Sequence, residues 1–140
     1  MILWVKKFRK VAVYLIFAFV IDSVLSFGLK FLFLRPRPSE FLGITPKISE
    51  LEPGPSFPSG HTERSFSGAT VIGELYKDFR IPLYILAVLT AVSRIYLGFH
   101  YPLDTLYGVL TGLLIGKLVF YLPADKIQKR IEKIIENKKG

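Results

Sequence analysis

A nearly unbroken apolar segment over residues 11–34 constrains this chain more than any other feature. In those 24 residues the side chains outside the hydrophobic set are Asp22, Ser23, Ser26, Gly28 and Lys30. About 20 apolar residues cross a hydrocarbon core of roughly 30 Å, whereas a soluble protein of 140 residues has little interior to cover such a helix. No small-residue cleavage pattern of a signal peptide follows the segment. We therefore interpret it as a membrane span.

Three further segments predict an all-α integral membrane bundle of about four transmembrane helices in one domain. Residues 81–98 and 103–122 are strongly apolar, and Pro82 suits the first turn of a helix. Residues 64–79 are the least hydrophobic and are typical of an amphipathic helix buried among others.

The segment between the first two predicted spans, residues 35–63, is predicted to be an outer loop. Six of the nine prolines lie there, and proline clusters interrupt regular structure. Short interfacial helices are expected around Phe41–Ile44 and Ile48–Leu51.

Lysine and arginine residues near the span ends predict the orientation. The segment 1–10, which is predicted to be a basic interfacial N-terminus, is rich in these residues, as are the turn at 77–80 and the tail 123–140. These three segments share one side of a four-span chain. The positive-inside rule makes that side cytoplasmic. Isoleucines at helical spacing in the tail predict an amphipathic helix on an anionic membrane surface, with a solvated helical tail as an equal alternative.

Several basic residues break this trend because they fall on the opposite, outer side. They are Lys30, Arg35, Arg37, Lys47, Arg64 and Arg94. An anionic substrate at the outer face would explain them.

The overall composition excludes several classes of protein and of site. The absence of cysteine excludes a disulfide scaffold, a thiolate zinc site and a cysteine nucleophile. The net charge of +8 is compatible with nucleic-acid binding or with a membrane protein that has basic flanks. Nucleic acid is excluded because the basic residues are divided between two membrane faces and no aromatic-basic surface appears.

Two features inside the predicted spans indicate packing. Gly108, Gly112 and Gly116 recur every four residues, a spacing that lets membrane helices approach closely. Asp22 lies in mid-span, where an acid is costly and needs a partner. We expect a structural hydrogen bond from a serine or tyrosine of a neighbouring span.

Three clusters of polar residues fall at the predicted outer ends of the spans. The first is Lys30 followed after six residues by Arg37 and Pro38, and the second is Pro58-Ser59-Gly60-His61. Arginine offers a planar fork that matches phosphate oxygens, and lysine offers a compact charge. Gly60 lets backbone N–H groups approach an anion, and Ser59 adds a hydroxyl donor.

The third cluster is Ser93-Arg94, then His100 after five residues and Asp104 after three more. Arg94 adds a third cation to the predicted phosphate site. Spacing of four places His100 and Asp104 on one face of a regular turn. The carboxylate can then accept the Nδ1–H of the imidazole and leave Nε2 to attack, with His61 as general acid for the leaving oxygen.

Taken singly, each of these residues has a structural explanation. Lys30 could be an interfacial anchor, Ser59 could cap a helix, and either histidine could be structural. Three ordered clusters on one membrane face favour a functional site instead.

Together the three clusters resemble the complete signature of the type 2 phosphatidic acid phosphatase superfamily, which shares its core with acid phosphatases and vanadium haloperoxidases. The resemblance implies a metal-independent phosphatase without a cofactor. It implies that His100 is a nucleophile forming a phosphohistidine, that Asp104 orients it and that His61 protonates the leaving group. The phosphate-binding residues it implies are Lys30, Arg37, Ser59, Gly60 and Arg94.

The same resemblance implies a phosphorylated membrane lipid as substrate and a cell (inner) membrane location, with the site on the periplasmic or extracellular side and both termini cytoplasmic. Undecaprenyl diphosphate, phosphatidylglycerophosphate, phosphatidic acid and lipid A 1-phosphate all suit the site. Membrane members typically have six spans, so two leading helices are expected to be missing and a homo-oligomer is one way to cover the exposed flank. The alternatives are a vanadate-dependent haloperoxidase and a non-catalytic phospholipid or anion binder.

Overall fold

The computed structural model describes residues 2–41 and 54–122, together with residues 126, 130, 133 and 134. In this part of the chain the α-helices are α1 (Ile2–Phe33), α2 (Pro38–Phe41), α3 (Gly60–Leu75), α4 (Arg80–Tyr96) and α5 (Pro102–Leu118). Short 3₁₀ turns at Lys77–Phe79 and Val119–Tyr121 precede α4 and follow α5. The described residues contain no β-strand, so the predicted all-α class is confirmed.

Among the described residues, three helical segments are long and apolar enough to cross a membrane: Phe8–Phe41, Lys77–Tyr96 and Pro102–Tyr121. Many of their large apolar side chains are exposed, such as Val24, Leu32 and Ile81. An extensive exposed apolar surface is typical of contact with lipid. The membrane character is therefore confirmed, while the span count by this measure is three rather than about four.

The helix that is not among these three, α3, lies at the centre of the bundle and contacts α1, α4 and α5. It has 16 residues and buries polar side chains such as Thr62, Ser67 and Thr70. Since protein rather than lipid covers most of its surface, low hydropathy is compatible with a central position.

Pairs of contacting residues give the helix directions. The Ser67 hydroxyl donates to Asp22, and the Ser26 hydroxyl donates to Glu63, so α1 and α3 are antiparallel. Tyr84 of α4 lies 2.9 Å from Thr70 Oγ1, and the start of α4 meets the end of α3, which makes this pair antiparallel too.

The glycines of α5 pack against α3, as their spacing predicts. A Cβ on Gly108 would lie 2.9 Å from the Ser59 carbonyl oxygen, and one on Gly116 would lie 2.6 Å from Thr70 Cβ. Side chains at these positions would clash, so the glycines permit a close helix contact. Because Gly108 faces the start of α3 and Gly116 faces its later turns, α3 and α5 are parallel.

Within the part of the chain that the structure describes, two apolar clusters hold the bundle together. One joins α1, α3 and α5 through Tyr14, Ala18, Val71 and Ile115, and continues to Val119. The other joins α3 to α4 through Phe66, Ala69, Ala87 and Ala91. Small side chains in the second cluster bring α3 and α4 close together.

Some element bounds differ from the predicted ones. The first helix begins at Ile2, so the basic segment 2–10 is helical and continuous with the first predicted span, and α3 begins at Gly60 rather than residue 64. The expected turn at Phe41–Ile44 is represented by α2, which ends at Phe41. The expected turn at Ile48–Leu51 and most of the predicted tail helix lie outside the described residues.

Candidate active site

The three sequence clusters meet at one end of the bundle. The directions of the helices bring the C-terminal ends of α1 and α4 together with the N-terminal ends of α3 and α5. Lys30 and Arg94 lie in the last turns of α1 and α4, while His61 and Asp104 lie in the first turns of α3 and α5. Both imidazoles are therefore at the same end of the molecule.

Phe99 is the meeting point of the first and third clusters. The guanidinium carbons of Arg37 and Arg94 lie 5.8 Å and 5.4 Å from the centre of its ring. Arg37 also donates a hydrogen bond of 3.1 Å to the Phe99 carbonyl oxygen and is almost completely buried. The aromatic ring thus holds two cations in one small volume.

His100, the next residue, is 2% exposed, and its Nδ1 lies 2.6 Å from the Ser56 carbonyl oxygen. A carbonyl oxygen only accepts hydrogen bonds, so Nδ1 carries a hydrogen, and in the neutral imidazole the lone pair then lies on Nε2. This tautomer is the one that nucleophilic attack through Nε2 requires.

The sequence predicts Asp104 as the acceptor for this Nδ1–H, but the Asp104 Oδ2 atom lies 3.9 Å from Nδ1, beyond hydrogen-bond range. The carboxylate has other partners: Oδ2 accepts from the Tyr101 backbone N–H at 2.9 Å, and Oδ1 accepts from Arg35 at 2.8 Å. Asp104 is the third residue of α5, where a carboxylate commonly bonds back to the residue that precedes the helix. It remains close enough to act on His100 through its charge.

Residues 54–56 form a short loop segment that the sequence does not single out. The Gly54 carbonyl accepts from Arg37 Nε at 2.9 Å, and the Pro55 carbonyl accepts from Lys30 Nζ at 2.5 Å. With the Ser56 carbonyl on His100, three successive carbonyl oxygens contact three of the predicted site residues. No sequence signal reveals this role, because every residue type has a backbone carbonyl.

Arg35 is the second functional candidate that sequence reasoning missed. Its guanidinium carbon lies 3.8 Å from the centre of the Tyr101 ring, and it forms the 2.8 Å ion pair with Asp104. Arg35 is one of the basic residues on the predicted outer side, and this position indicates that it belongs to the site. The sequence does not indicate that Asp104 is its partner.

The second cluster begins α3. Ser59 is fully buried and its Oγ lies 2.9 Å from Thr62 Oγ1, while its backbone N–H donates to the Asp104 carbonyl oxygen at 3.3 Å. It occupies the position before the helix without capping it through its side chain. The backbone contact links the second cluster directly to the third.

The two predicted catalytic histidines have different surroundings. His100 is buried, whereas His61 is exposed and lines a groove between α1, α3 and α4. A Cβ on Gly60, beside His61, would lie 3.6 Å from the Ser26 hydroxyl and 3.8 Å from the Arg64 guanidinium nitrogens. The site therefore has an interior part around His100 and an open part around His61.

Comparison with known proteins gives several related matches, two of which are undecaprenyl-diphosphatases. An undecaprenyl-diphosphatase of Sulfolobus acidocaldarius is 36% identical over 135 residues, which are 94% of this chain and 64% of that protein. The undecaprenyl-diphosphatase BcrC of Bacillus subtilis is 33% identical over 117 residues, or 80% of this chain and 58% of that protein. This chain therefore spans about three fifths of the length of these curated relatives.

A solved structure has the same fold. The transmembrane PAP2 type phosphatidylglycerolphosphate phosphatase of Bacillus subtilis superposes with a TM-score of 0.65 and 31% identity, covering 75% of this chain and 55% of that one. The family model of the PAP2 superfamily matches residues 11–128. Since this match includes all three clusters and the four main helices around them, the chain belongs to the PAP2 superfamily.

Proposed function

We propose that this protein is a metal-independent phosphatase acting on a phosphomonoester or diphosphate group of a membrane lipid. The observation that carries the proposal is the buried His100, whose Nδ1 is bonded to the Ser56 carbonyl at 2.6 Å while Arg37 and Arg94 flank the neighbouring ring. This arrangement combines a nucleophile in the required tautomer with positive charge for a phosphoryl group. The relatives are named as phosphatases of lipid phosphates, which supports the same activity.

In the proposed reaction, the His100 Nε2 lone pair forms a bond to phosphorus as the bond from phosphorus to the leaving oxygen breaks. His61 donates a proton to that oxygen, and Asp104 stabilises the positive charge that develops on the His100 imidazole. Water then attacks the phosphorus of the phosphohistidine and gives a proton to His61, which becomes the general acid again. The P–N bond breaks, its electron pair returns to His100 Nε2, and inorganic phosphate leaves.

The phosphate-binding role goes to Lys30, Arg37, Ser59, Gly60 and Arg94. Two of these residues, Lys30 and Arg37, contact backbone carbonyls of the segment 54–56. We expect a bound phosphate to compete with these carbonyls for the donors, since charge-assisted bonds to phosphate are stronger than bonds to a neutral carbonyl.

For the membrane arrangement we propose four crossings by α1, α3, α4 and α5, with the site at the outer face of the cell membrane and both termini in the cytoplasm. The helix directions support this, because they place the basic turn at 77–80 at the end opposite the site. The central α3 needs no apolar surface of its own where α1, α4 and α5 cover it.

The substrate is proposed as a class. Undecaprenyl diphosphate comes first, because it is the substrate that the names of two relatives state. Phosphatidylglycerophosphate, phosphatidic acid and lipid A 1-phosphate are the other members of the test panel.

The decisive experiment measures inorganic phosphate released from this panel by the purified protein in detergent. We expect release from at least one lipid, its loss in His100→Ala, and unchanged release in Tyr96→Ala, whose side chain is 88% exposed. Release that survives His100→Ala would refute the proposed nucleophile, and no release from any lipid would refute the function.

A chelator arm tests metal independence. Activity after treatment with EDTA is expected to stay within about twofold of the untreated value, because the proposed charge stabilisation comes from lysine and arginine. Loss of activity with EDTA and its recovery with an added divalent ion would refute this part.

A further inference from the structure

The ring of Phe57 lies between two other aromatic rings that belong to different helices. Its centre is 4.9 Å from that of Phe33 at the end of α1 and 4.9 Å from that of Tyr107 in α5. The Phe33 ring meets it edge-on at an interplanar angle of 68°, and the Tyr107 ring is tilted by 55°. Distances and angles of this kind are favourable for aromatic pairs. Phe57 therefore connects the loop before α3 to both α1 and α5.

Phe57 directly follows the residue whose carbonyl oxygen bonds to the proposed nucleophile. The Ser56 carbonyl and the Phe57 nitrogen belong to one planar peptide group, so a displaced Phe57 would move or turn this carbonyl. The same carbonyl oxygen lies 2.6 Å from His100 Nδ1. A shift of the Phe57 ring would therefore reach His100 through a single rigid group.

Backbone hydrogen bonds hold the loop on both sides of Phe57. The Ser56 N–H donates to the Arg35 carbonyl oxygen at 2.8 Å, and Ser56 is completely buried. The Ser59 N–H donates to the Asp104 carbonyl oxygen at 3.3 Å. The Phe57 ring adds a side-chain contact between these two bonds, at the peptide group that faces His100.

The position of the Ser56 carbonyl matters for catalysis because it determines the tautomer of His100. In a neutral imidazole, the nitrogen that donates a hydrogen bond carries the hydrogen, and the other nitrogen keeps its lone pair. His100 is 2% exposed, so little water can replace an acceptor that moves away. The Asp104 carboxylate is 3.9 Å from Nδ1 and accepts a bond from the Tyr101 N–H instead.

A second aromatic contact provides a comparison in which packing is present without this connection. Tyr14 of α1 and Phe120, in the turn after α5, have ring centres 4.6 Å apart. Phe57 and Phe120 are both half-buried, but Phe120 belongs to the apolar cluster at the end of the bundle away from the site. If Phe57 contributed packing alone, replacing either ring would have similar consequences.

We propose that Phe57 is a positioning residue. The Phe33 and Tyr107 rings hold it so that the Ser56 carbonyl stays on His100 Nδ1 and keeps the imidazole in the tautomer that attacks through Nε2. This inference rests on the proposed role of His100 as nucleophile and adds the side chains that prepare it. Phe57 acts through a backbone carbonyl and needs no contact with the substrate.

Steady-state kinetics on the best lipid of the panel give the first test. Phe57→Leu keeps an apolar side chain but loses both ring contacts, and we expect kcat to fall about tenfold, the effect of losing one hydrogen bond of ordinary strength. KM should change by less than about twofold, since phosphate binding is untouched. Phe120→Leu, the matched control, should leave kcat unchanged. A higher KM with normal kcat in Phe57→Leu, or an equal fall of kcat in Phe120→Leu, would overturn the proposal.

Two substitutions of Tyr107 separate the ring from its hydroxyl group. Tyr107→Leu removes one of the two ring contacts and should lower kcat about threefold, whereas Tyr107→Phe keeps the ring and should stay within about twofold of the unmodified protein. Tyr107→Leu also replaces Phe57→Leu in every measurement if the latter does not fold. Equal values of kcat for Tyr107→Leu and Tyr107→Phe would contradict a role of the ring.

The tautomer of His100 can be measured without turnover, which separates this inference from the proposed function. The chain has two histidines, so protein labelled with ¹⁵N-histidine gives the ring nitrogen signals of two imidazoles in detergent, and His61→Gln identifies those of His100. At a pH where the imidazole is neutral, we expect the hydrogen on Nδ1 in the unmodified protein and in Phe120→Leu. In Phe57→Leu the signals should shift toward a mixture of both tautomers.

This result would support the positioning role even if no lipid of the panel releases phosphate. An unchanged tautomer in Phe57→Leu would overturn it even if kcat falls, because the loss would then come from packing. A mixture of tautomers already present in the unmodified protein would overturn it as well.

Discussion

The carboxylate of Asp104 and the guanidinium of Arg35 form a 2.8 Å ion pair at the first turn of α5. Asp104 is completely buried, while Arg35 is 37% exposed. With the Tyr101 N–H on the other oxygen, this pair fixes the carboxylate 3.9 Å from His100 Nδ1. We therefore expect Asp104 to act on His100 from a fixed position and by charge, while the Ser56 carbonyl oxygen accepts the hydrogen bond from Nδ1.

Two substitutions of Asp104 should therefore separate the effect of its charge on catalysis from the effect of its hydrogen bond to the Tyr101 N–H on the stability of α5. Asp104→Asn keeps an oxygen for the Tyr101 N–H but loses the negative charge beside His100, so we expect kcat to fall about 10²-fold with little change in melting temperature. Asp104→Ala should lose similar activity and about 1 kcal/mol of stability as well, since the cap is removed. Full activity in Asp104→Asn would show that charge at this position is irrelevant.

Arg35 is expected to be a positioning residue that acts through Asp104. Arg35→Gln should lower kcat about tenfold while KM changes by less than about twofold, because Arg35 holds the carboxylate rather than the phosphate. Arg35→Lys should recover part of the loss by restoring the charge. Steady-state kinetics on the best lipid of the panel measure both values.

Arg80→Gln is the matched control for Arg35→Gln, since Arg80 is 39% exposed and pairs with Glu74 at 2.7 Å at the other end of the bundle. We expect it to leave kcat unchanged. An increase in KM without a fall in kcat for Arg35→Gln would instead assign Arg35 to phosphate binding.

The sequence predicts that the three clusters lie at the same end of the bundle, because hydropathy and charge indicate on which side of the membrane each helix ends. The helix contact of Gly108 and Gly116 was also predictable from their spacing. The partner of His100 Nδ1 could not be predicted, because the Ser56 atom that bonds to it is a backbone carbonyl oxygen. The spacing of His100 and Asp104 also does not indicate that the Asp104 carboxylate pairs with Arg35. Hydropathy also fails for α3, whose polar side chains bond to neighbouring helices instead of facing lipid.

The close contact of α5 with α3 should make Gly112 intolerant of any side chain. A Cβ on Gly112 would overlap the Glu63 carbonyl oxygen and lie 2.9 Å from Phe66 Cβ, so Gly112→Ala is expected to lower stability by about 1–3 kcal/mol through overpacking. Gly28→Ala is the control, since nothing lies within 4 Å of a Cβ there, and helix propensity should make it neutral or slightly stabilising. Thermal unfolding in detergent compares the two, and equal melting temperatures would contradict the close contact.

The bond from Ser67 to Asp22 should stabilise the pairing of α1 with α3. Ser67→Ala removes the donor from a fully buried carboxyl group, and the expected cost is about 1–3 kcal/mol. Ser23→Ala, an exposed change one residue from Asp22, should have no effect on unfolding in detergent. If Ser67→Ala and Ser23→Ala unfold alike, the hydrogen bond contributes nothing to stability.

The loss of kcat caused by replacing His61 should increase with the basicity of the leaving oxygen. If His61 donates the proton, His61→Ala will lower kcat about 10²–10⁴-fold for a phosphomonoester whose leaving group is an alkoxide. The loss should be much smaller for para-nitrophenyl phosphate, because its leaving oxygen needs no proton. His100→Ala serves as the contrast, since a missing nucleophile should abolish turnover of both substrates. Equal losses of kcat for the two substrates in His61→Ala would assign His61 to phosphate binding rather than to proton transfer. His61, in the open part of the site, would then bind the headgroup of the substrate.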